Sequence, residues 1–130
     1  MDEDADAKGT RASGPSLTGS TPPFKSISPD NPADAPHRAR LHGMGLTSAQ
    51  MARPFVGVVT SWNEASPGNI ALARQAQAVK RGVRDAGGTP REFTTISGAG
   101  TGSSLINREL IADSIEAMVC AHGYTALVGL

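Results

Sequence analysis

The stretch Phe55-Val56-Gly57-Val58-Val59-Thr60 decides the fold, because it is a short apolar run rich in β-branched residues. Its apolar side chains follow one another without the polar alternation of a half-exposed strand. The run therefore predicts a β-strand that is buried on both faces. Strands of this kind belong to parallel sheets with helices on both sides, so the stretch predicts an α/β fold.

The segment after this strand predicts a long helix from about residue 68 to about residue 85. Ser66 and Pro67 are suited to cap and start it, and Gly87 is suited to end it. Four apolar residues recur at spacings of four, three and four, which places them on one helical face. They are Leu72, Ala76, Val79 and Val83.

The remainder of the chain repeats this pattern. Residues 90–96 predict a second strand, a second helix runs from Ser103 or Ser104 to about His122, and residues 124–130 begin a third strand. The order predicts a βαβαβ unit with a parallel sheet and right-handed crossovers. Because a natural domain seldom ends on such a strand, we expect further chain to have followed Leu130. The apolar face of the second helix is expected to consist of Leu105, Ile111, Ile115, Met118 and Val119.

The residues before the first strand divide into two parts. Residues 1–34 are rich in Ser, Thr, Gly, Pro and Asp without an apolar period, which predicts a disordered arm; the alternative is an arm that orders only against a partner chain. Residues 35–130 form the predicted α/β domain. It opens with a short helix from about Pro36 that ends at Gly43 or Gly45, and Thr47 caps a further helical turn through Met51.

Composition excludes several classes of partner. Twelve basic and twelve acidic residues give a net charge of zero, so no basic field would attract nucleic acid. No apolar run approaches the roughly 20 residues of a membrane span. The acidic N-terminus is unlike a secretory signal or a transit peptide. These features predict a soluble cytoplasmic protein, and the single cysteine, Cys120, excludes an internal disulfide framework.

Polar clusters in the chain give only weak indications of chemistry. Residues 98–103 form a glycine-rich loop between a strand and a helix, but they lack the third glycine of a dinucleotide fingerprint and the lysine of a Walker loop. A plain connection is therefore favoured over a stand-alone nucleotide-binding module. Glu109, Asp113 and Glu116 share one helical face, where a solvated surface is favoured over a metal or acid–base site.

The histidines and the cysteine give no clearer site. His37, His42 and His122 have no zinc spacing. Cys120 is expected to be a buried or half-buried structural residue, and one cysteine cannot by itself hold an iron–sulfur cluster.

Several stretches together resemble the dihydroxy-acid dehydratase and phosphogluconate dehydratase family, over residues 35–130. They include the first strand with the loop that follows it, the entry to the first long helix, the second strand and a segment of the last helix. These stretches are Ala35-Pro36-His37-Arg38-Ala39, Gly43-Met44-Gly45-Leu46-Thr47, residues 53–64 from Arg53 to Glu64, Ser66-Pro67-Gly68-Asn69, residues 86–93 from Ala86 to Phe93, Thr95-Ile96-Ser97, and residues 107–116 from Asn107 to Glu116.

The resemblance implies an enzyme that dehydrates 2,3-dihydroxy acids to 2-keto acids, a lyase of branched-chain amino-acid biosynthesis. It also implies a small-molecule dihydroxy acid as substrate, an iron–sulfur cluster acting as Lewis acid, a divalent cation such as Mg²⁺, and a homodimer of the full-length protein. Ser61, Asn63 and Asn69 are the candidates for a loop that meets the substrate. No residue of this chain is assigned a catalytic role.

The departures from the family pattern affect the positions that would carry chemistry. Gly68 occupies a position where many members have a cysteine that ligates the cluster. The loop between Ser97 and Ser104 is several residues shorter than in the family and lacks the aspartate that holds the cation. Thr125 stands where the family usually has an aspartate, and the later cysteine-bearing segments lie beyond Leu130. The resemblance thus implies a chain with neither cluster nor cation, inactive by itself.

Two hypotheses follow. The chain belongs to a dehydratase, for branched-chain dihydroxy acids or for sugar acids, or it is a truncated or mis-spliced product without catalytic function.

Overall fold

The computed structural model describes residues 30–96 and 104–130, with side chains of the last helix from residue 107 onward. A 3-10 turn, Pro32–Asp34, leads into α1 (Ala35–Gly43), α2 (Ser48–Met51), β1 (Phe55–Thr60), α3 (Leu72–Asp85), β2 (Thr89–Thr94), α4 (Ser104–His122) and β3 (Ala126–Gly129). None of the described helices is both long and apolar enough to cross a lipid bilayer.

The three strands form one parallel sheet in the order β2-β1-β3, which confirms the predicted α/β fold. Val58 in β1 lies opposite Glu92 in β2 and Val128 in β3. The chain leaves β1 towards β2 and then returns across β1 to reach β3. Right-handed crossovers, the rule for parallel strands, place α3 and α4 on opposite faces of the sheet.

Strand β1 is the centre of the sheet and is buried on both faces, as its sequence predicts. Val58 and Thr60 point to one face and have no exposed surface, while Phe55 and Val59 point to the other and are 5% exposed. β1 is hydrogen-bonded to a strand on each side, so its backbone groups are satisfied as well as its side chains.

Helix α3 confirms the predicted apolar face but begins later than predicted. Ala76 is fully buried, and the other three predicted residues are half-buried. The helix starts at Leu72 rather than near residue 68. Residues 66–71 form turns instead, in which the Asn69 N–H donates to the Ser66 carbonyl (3.0 Å) and the Leu72 N–H donates to the Asn69 carbonyl (3.1 Å). Ser66 therefore does not cap the helix.

Side-chain contacts hold β2 at its middle and at its start. Lys80 of α3 forms an ion pair with Glu92 at 2.7 Å. At the start of the strand, the Thr89 hydroxyl donates to the Gln50 carbonyl at 2.7 Å. Strands β2 and β3 are both shorter than the predicted ranges 90–96 and 124–130. Tyr124 does not join β3, because its N–H donates to the Val119 carbonyl at the end of α4 (3.1 Å).

The segment before β1 forms a small core against one face of the sheet. Leu41, Leu46, Met51 and Phe55 are buried together, with Tyr124 packed against them. The two helical turns end and begin as predicted: Gly45 has a positive φ of 82° after α1, and Thr47 forms a reciprocal capping box with Gln50.

Residues 1–29 of the arm that was predicted to be disordered lie outside the described residues. Residues 30–34 are described. The Asn31 side chain caps the 3-10 turn by accepting from the Ala33 N–H at 3.1 Å, and Arg38 of α1 donates to the Asn31 carbonyl at 2.8 Å.

Helix α4 places its predicted apolar face toward the sheet, although that face is only partly covered. Ile111, Ile115, Met118 and Val119 are half-buried, and Leu105 lies outside the described side chains. Cys120 is exposed. The expectation that Cys120 is buried is therefore wrong, because this residue lies on the side of α4 away from the sheet.

Gly57 allows three side chains to close over the middle of β1. A Cβ atom at this position would lie 2.9 Å from Cδ2 of Tyr124, 3.0 Å from Cδ1 of Leu127 and 3.3 Å from Cε1 of Phe93. The rings of Phe93 and Tyr124 are stacked, with centroids 6.0 Å apart. The absence of a side chain at Gly57 thus lets Phe93, Tyr124 and Leu127 approach the strand closely.

We predict that Gly57→Ala lowers the free energy of unfolding by about 1–3 kcal/mol, because the added methyl group overpacks this contact. Gly82→Ala is the matched control, since Gly82 lies in α3 with no atom within 4 Å of an added Cβ. It should raise the stability by up to about 1 kcal/mol through helix propensity. Urea unfolding of both variants measures these effects, and a Gly57→Ala variant as stable as the wild type would contradict the packing described here.

Tyr124 is half-buried, and its environment perturbs its ionisation. Burial raises the pKa of the phenol above its ordinary value of 10.0, while the positive charge of Arg91 and its hydrogen bond to the phenol act in the opposite direction. The unfolded chain therefore loses the Tyr124 proton at a lower pH than the folded chain. Folding stability should be unaffected by this group below about pH 10 and should fall as the pH rises further.

We predict that Arg91→Leu raises the pKa of Tyr124 further, because the opposing charge is removed. The chain contains a single tyrosine, so alkaline titration of the ultraviolet absorbance reports on this phenol alone. Arg81→Leu, at an exposed arginine of α3, should leave the titration unchanged. A fall in the pKa of Tyr124 on Arg91→Leu would show that Arg91 does not act on the phenol as described.

Candidate functional site

The carboxyl ends of the three strands meet at one edge of the sheet and border a cavity of about 340 Å³. The connection after β1 leads to the strand on one side of β1, and the connection after β2 leads back to the strand on its other side. The point where the strand order reverses in this way is called a topological switch point. In open α/β sheets, ligands bind in the crevice at such a point. The cavity is lined by Val59, Thr60, Ser61, Thr95, Ile96, Ile111, Ile115, Gly129 and Leu130.

Two kinds of side chain surround this cavity, referred to below as the carboxyl-edge cavity. Val59, Ile111 and Ile115 form an apolar wall between the sheet and α4. Ser61 and Thr95 contribute hydroxyl groups at the ends of β1 and β2. The Thr95 hydroxyl also lies 3.5 Å from the Ser114 hydroxyl of α4, which links the rim of the cavity to the helix above it.

The loop that follows β1 is built around the side chain of Asn63. Its Oδ1 accepts from the N–H groups of Ala65 (2.9 Å) and Ser66 (3.1 Å), and its Nδ2 donates to the Ser61 carbonyl at 2.9 Å. An asparagine that bonds to the backbone two and three residues ahead closes a turn of its own. Asn63 therefore shapes the loop.

Asn69 closes the same loop from its other end. Its Nδ2 donates to the Ser61 carbonyl at 2.9 Å, so that one carbonyl oxygen accepts from two asparagine side chains. These two hydrogen bonds hold Ser61 at the rim of the cavity. Of the three candidates for a substrate loop, only Ser61 lines the cavity, while Asn63 and Asn69 each donate a side-chain hydrogen bond to the Ser61 carbonyl of the loop.

Gly68 lies on the exposed part of this loop. No atom lies within 4 Å of a Cβ built at this position, and its φ is not positive. A cysteine would therefore fit here without strain, and the backbone does not require glycine. Glycine itself offers no side-chain donor to a cluster.

The remaining polar candidates do not converge on the cavity. Glu109, Asp113 and Glu116 are exposed along α4. Within residues 30–96 and 104–130, no three His, Cys, Asp or Glu side chains lie close enough together to hold a metal ion. The glycine-rich loop at 98–103 lies outside the described residues.

The histidines take part in separate local contacts. His37 is exposed. His42 is hydrogen-bonded through Nδ1 to the Leu46 carbonyl at 2.9 Å, and the ring of His122 stacks on Tyr124 with centroids 5.6 Å apart.

Sequence reasoning did not single out Thr60, Thr95 and Leu130 as site residues. Their position in the sequence could have identified them, because each stands at or just after the carboxyl end of a predicted parallel strand, where ligands bind in open sheets. The described residues that line the cavity include hydroxyl and apolar groups but no titratable side chain. This wall can orient a small polar molecule and exclude water from it, but it cannot move a proton near neutral pH.

The fold is an open parallel α/β sheet, and in proteins of this class small molecules bind at the switch point. The family model for the N-terminal part of dihydroxy-acid/6-phosphogluconate dehydratases matches residues 53–130. The chain belongs to this family.

Similar proteins carry the name of one branch of the family. The chain is 58% identical to dihydroxy-acid dehydratase 2 of Bradyrhizobium diazoefficiens, over 78% of this chain and 19% of the relative. It is 58% identical to dihydroxy-acid dehydratase of Pelagibacter ubique, over 74% of this chain and 18% of the relative. The chain thus spans about a fifth of the length of these relatives.

We predict that Asn63→Ala lowers the stability by about 1–3 kcal/mol, because it leaves backbone groups of the loop without partners. Asn63→Ser is the matched control. Its hydroxyl oxygen can still accept from the loop backbone two residues ahead, as in a serine turn, so it should cost less. Trp62 is the only tryptophan and is 41% exposed in this loop, so its fluorescence during urea unfolding reports on the loop as well as on the fold. Equal losses for the two variants would show that the turn does not depend on the Asn63 oxygen.

Proposed function

We propose that this chain supplies the N-terminal α/β unit of an enzyme that dehydrates 2,3-dihydroxy acids to 2-keto acids, and that its carboxyl-edge cavity forms part of the substrate site. The observation that carries the proposal is the position of this cavity at the switch point of the sheet. The chain that forms it is 58% identical to named dihydroxy-acid dehydratases over the matched region. The proposed enzyme is a hydro-lyase of branched-chain amino-acid biosynthesis. A cytoplasmic location and a homodimer of the full-length enzyme stay predictions of the resemblance.

The lining of the cavity favours a branched-chain substrate over a sugar acid. A branched-chain dihydroxy acid carries an apolar end, which suits the wall of Val59, Ile111 and Ile115. Its hydroxyl groups can bond to Ser61 and Thr95. A phosphorylated sugar acid would need cationic groups for its phosphate, and the lining residues that the structure describes include none.

The proposed reaction needs groups that the described residues do not supply. A base must take the proton from the carbon next to the carboxylate, and a Lewis acid must assist the departing hydroxyl. Among the described residues, none that lines the cavity has a titratable side chain, and no three metal-binding side chains come together. The described residues therefore do not fit an iron–sulfur cluster or a Mg²⁺ site by themselves. We propose that the chain alone binds substrate weakly and does not turn it over.

A nuclear magnetic resonance titration of the 130-residue chain tests the substrate proposal directly. Dihydroxyisovalerate at about millimolar concentration, the affinity range of a small fragment, should shift the amide signals of Ser61 and Thr95. Gluconate should shift them much less. Ser61→Ala should weaken binding by about 2- to 10-fold, the effect of one lost hydrogen bond. Ser48→Ala, at an exposed serine of α2, should leave it unchanged.

Two results would contradict the proposal. If gluconate binds as well as dihydroxyisovalerate, the apolar wall does not select the substrate. If neither compound shifts the cavity signals, the cavity is not part of a substrate site. Turnover of dihydroxyisovalerate by the purified chain would contradict the separate statement that it is inactive alone, and would also remove the hypothesis of a non-catalytic fragment.

A further inference from the structure

The two edges of the sheet differ in chemistry. The β2 edge carries Pro90, which lacks an N–H group, and the charged residues Arg91 and Glu92. These are features with which natural sheets prevent further strands from adding. The β3 edge consists of Ala126, Leu127, Val128 and Gly129, with no charge and no proline. Only the β3 edge is open to extension.

Some backbone N–H and C=O groups of β3 face the open edge and not β1. The Leu130 N–H donates to the Val59 carbonyl at 3.0 Å. Because the direction alternates along a parallel strand, the N–H and C=O groups of Leu127 and Gly129 point away from β1. The sheet formed by the described residues has no further strand beyond β3.

Apolar surface lies beside the same edge. Leu127 is 42% exposed and Leu130 is 38% exposed. A groove of about 390 Å³ separates β3 from α4, and its lining is almost entirely apolar, with Ile115, Val119 and Tyr124 among the lining residues. The apolar face of α4 is therefore only partly covered by this chain.

The length of the relatives bears on what covers the β3 edge and the α4 groove. Four-fifths of the length of each compared dehydratase lies outside the part that matches this chain, and the matching family model describes the N-terminal part of such enzymes. We propose that the β3 edge and the adjoining α4 groove form a docking surface for the remaining part of a dihydroxy-acid dehydratase polypeptide, which adds a strand beside β3 and fills the groove with apolar side chains. The inference rests on the proposed function for the choice of partner.

A second copy of this chain is the alternative occupant, since it would offer the same four-residue edge for pairing. Self-association is therefore an outcome that the experiment must distinguish.

The test uses the full 130-residue chain and the Bradyrhizobium dehydratase without the N-terminal region that matches it. Both are produced together in one cell, and the amount of soluble, co-purified partner is measured. We expect a one-to-one complex with the wild-type chain. Leu127→Lys and Ala126→Lys, which place a charge on the β3 edge, should each reduce the recovered partner at least 10-fold. Thr94→Lys, which places the same charge on the β2 edge, should leave the recovery unchanged.

Circular dichroism of each purified variant confirms that it is folded, and Ala126 is exposed, so a lysine there should be tolerated even if Leu127→Lys unfolds the chain. The proposal is overturned if the partner stays insoluble with the wild-type chain, or if all three lysine variants recover it equally. A dimer of the chain alone that is lost on Ala126→Lys would assign the edge to a second copy instead. The substrate titration is independent of these results, so a failed complex and a failed substrate site can be told apart.

Discussion

The structure depends on the burial of one strand between two others. β1 has parallel neighbours on both sides, α3 packs against one of its faces, and the core cluster with Tyr124 packs against the other. Val58 and Thr60 are completely buried because of this arrangement. The same arrangement directs the two crossovers to opposite faces, which creates the switch point and its cavity. The fold and the candidate site therefore have one physical origin.

In this fold, the shape of the cavity and the chemistry of a reaction have separate structural origins. The walls of the cavity come from the elements that build the fold: the ends of the three strands and the inner face of α4. Packing maintains those residues whether or not a reaction takes place. The groups that would act on a substrate are a separate requirement, and the described residues do not bring them together. Gly68 illustrates the difference, because the loop around it is well formed by Asn63 and Asn69 while the position itself has no side chain.

Local sequence patterns predicted the elements of the fold well, because burial on one or two faces leaves a clear period in the sequence. The apolar face of α3 and the capping box at Thr47 are examples. The start of α3 was predicted too early, since the side-chain bonds of Asn63 and Asn69 across the loop are not visible in a helical period. Burial of Cys120 was also predicted wrongly, because the type of residue does not reveal which side of a partly covered helix it occupies. The residues that line the cavity come from distant segments, so strand order was needed to bring them together.

Amide hydrogen exchange tests most directly whether β1 organises the structure. If it does, the amides of Val58 and Thr60 should exchange only through global unfolding and be the slowest in the chain. The amides of Leu127 and Gly129 on the open edge should exchange many times faster. A β1 whose amides exchange as rapidly as those of the β3 edge would contradict the account, because the central strand would then open without unfolding the rest.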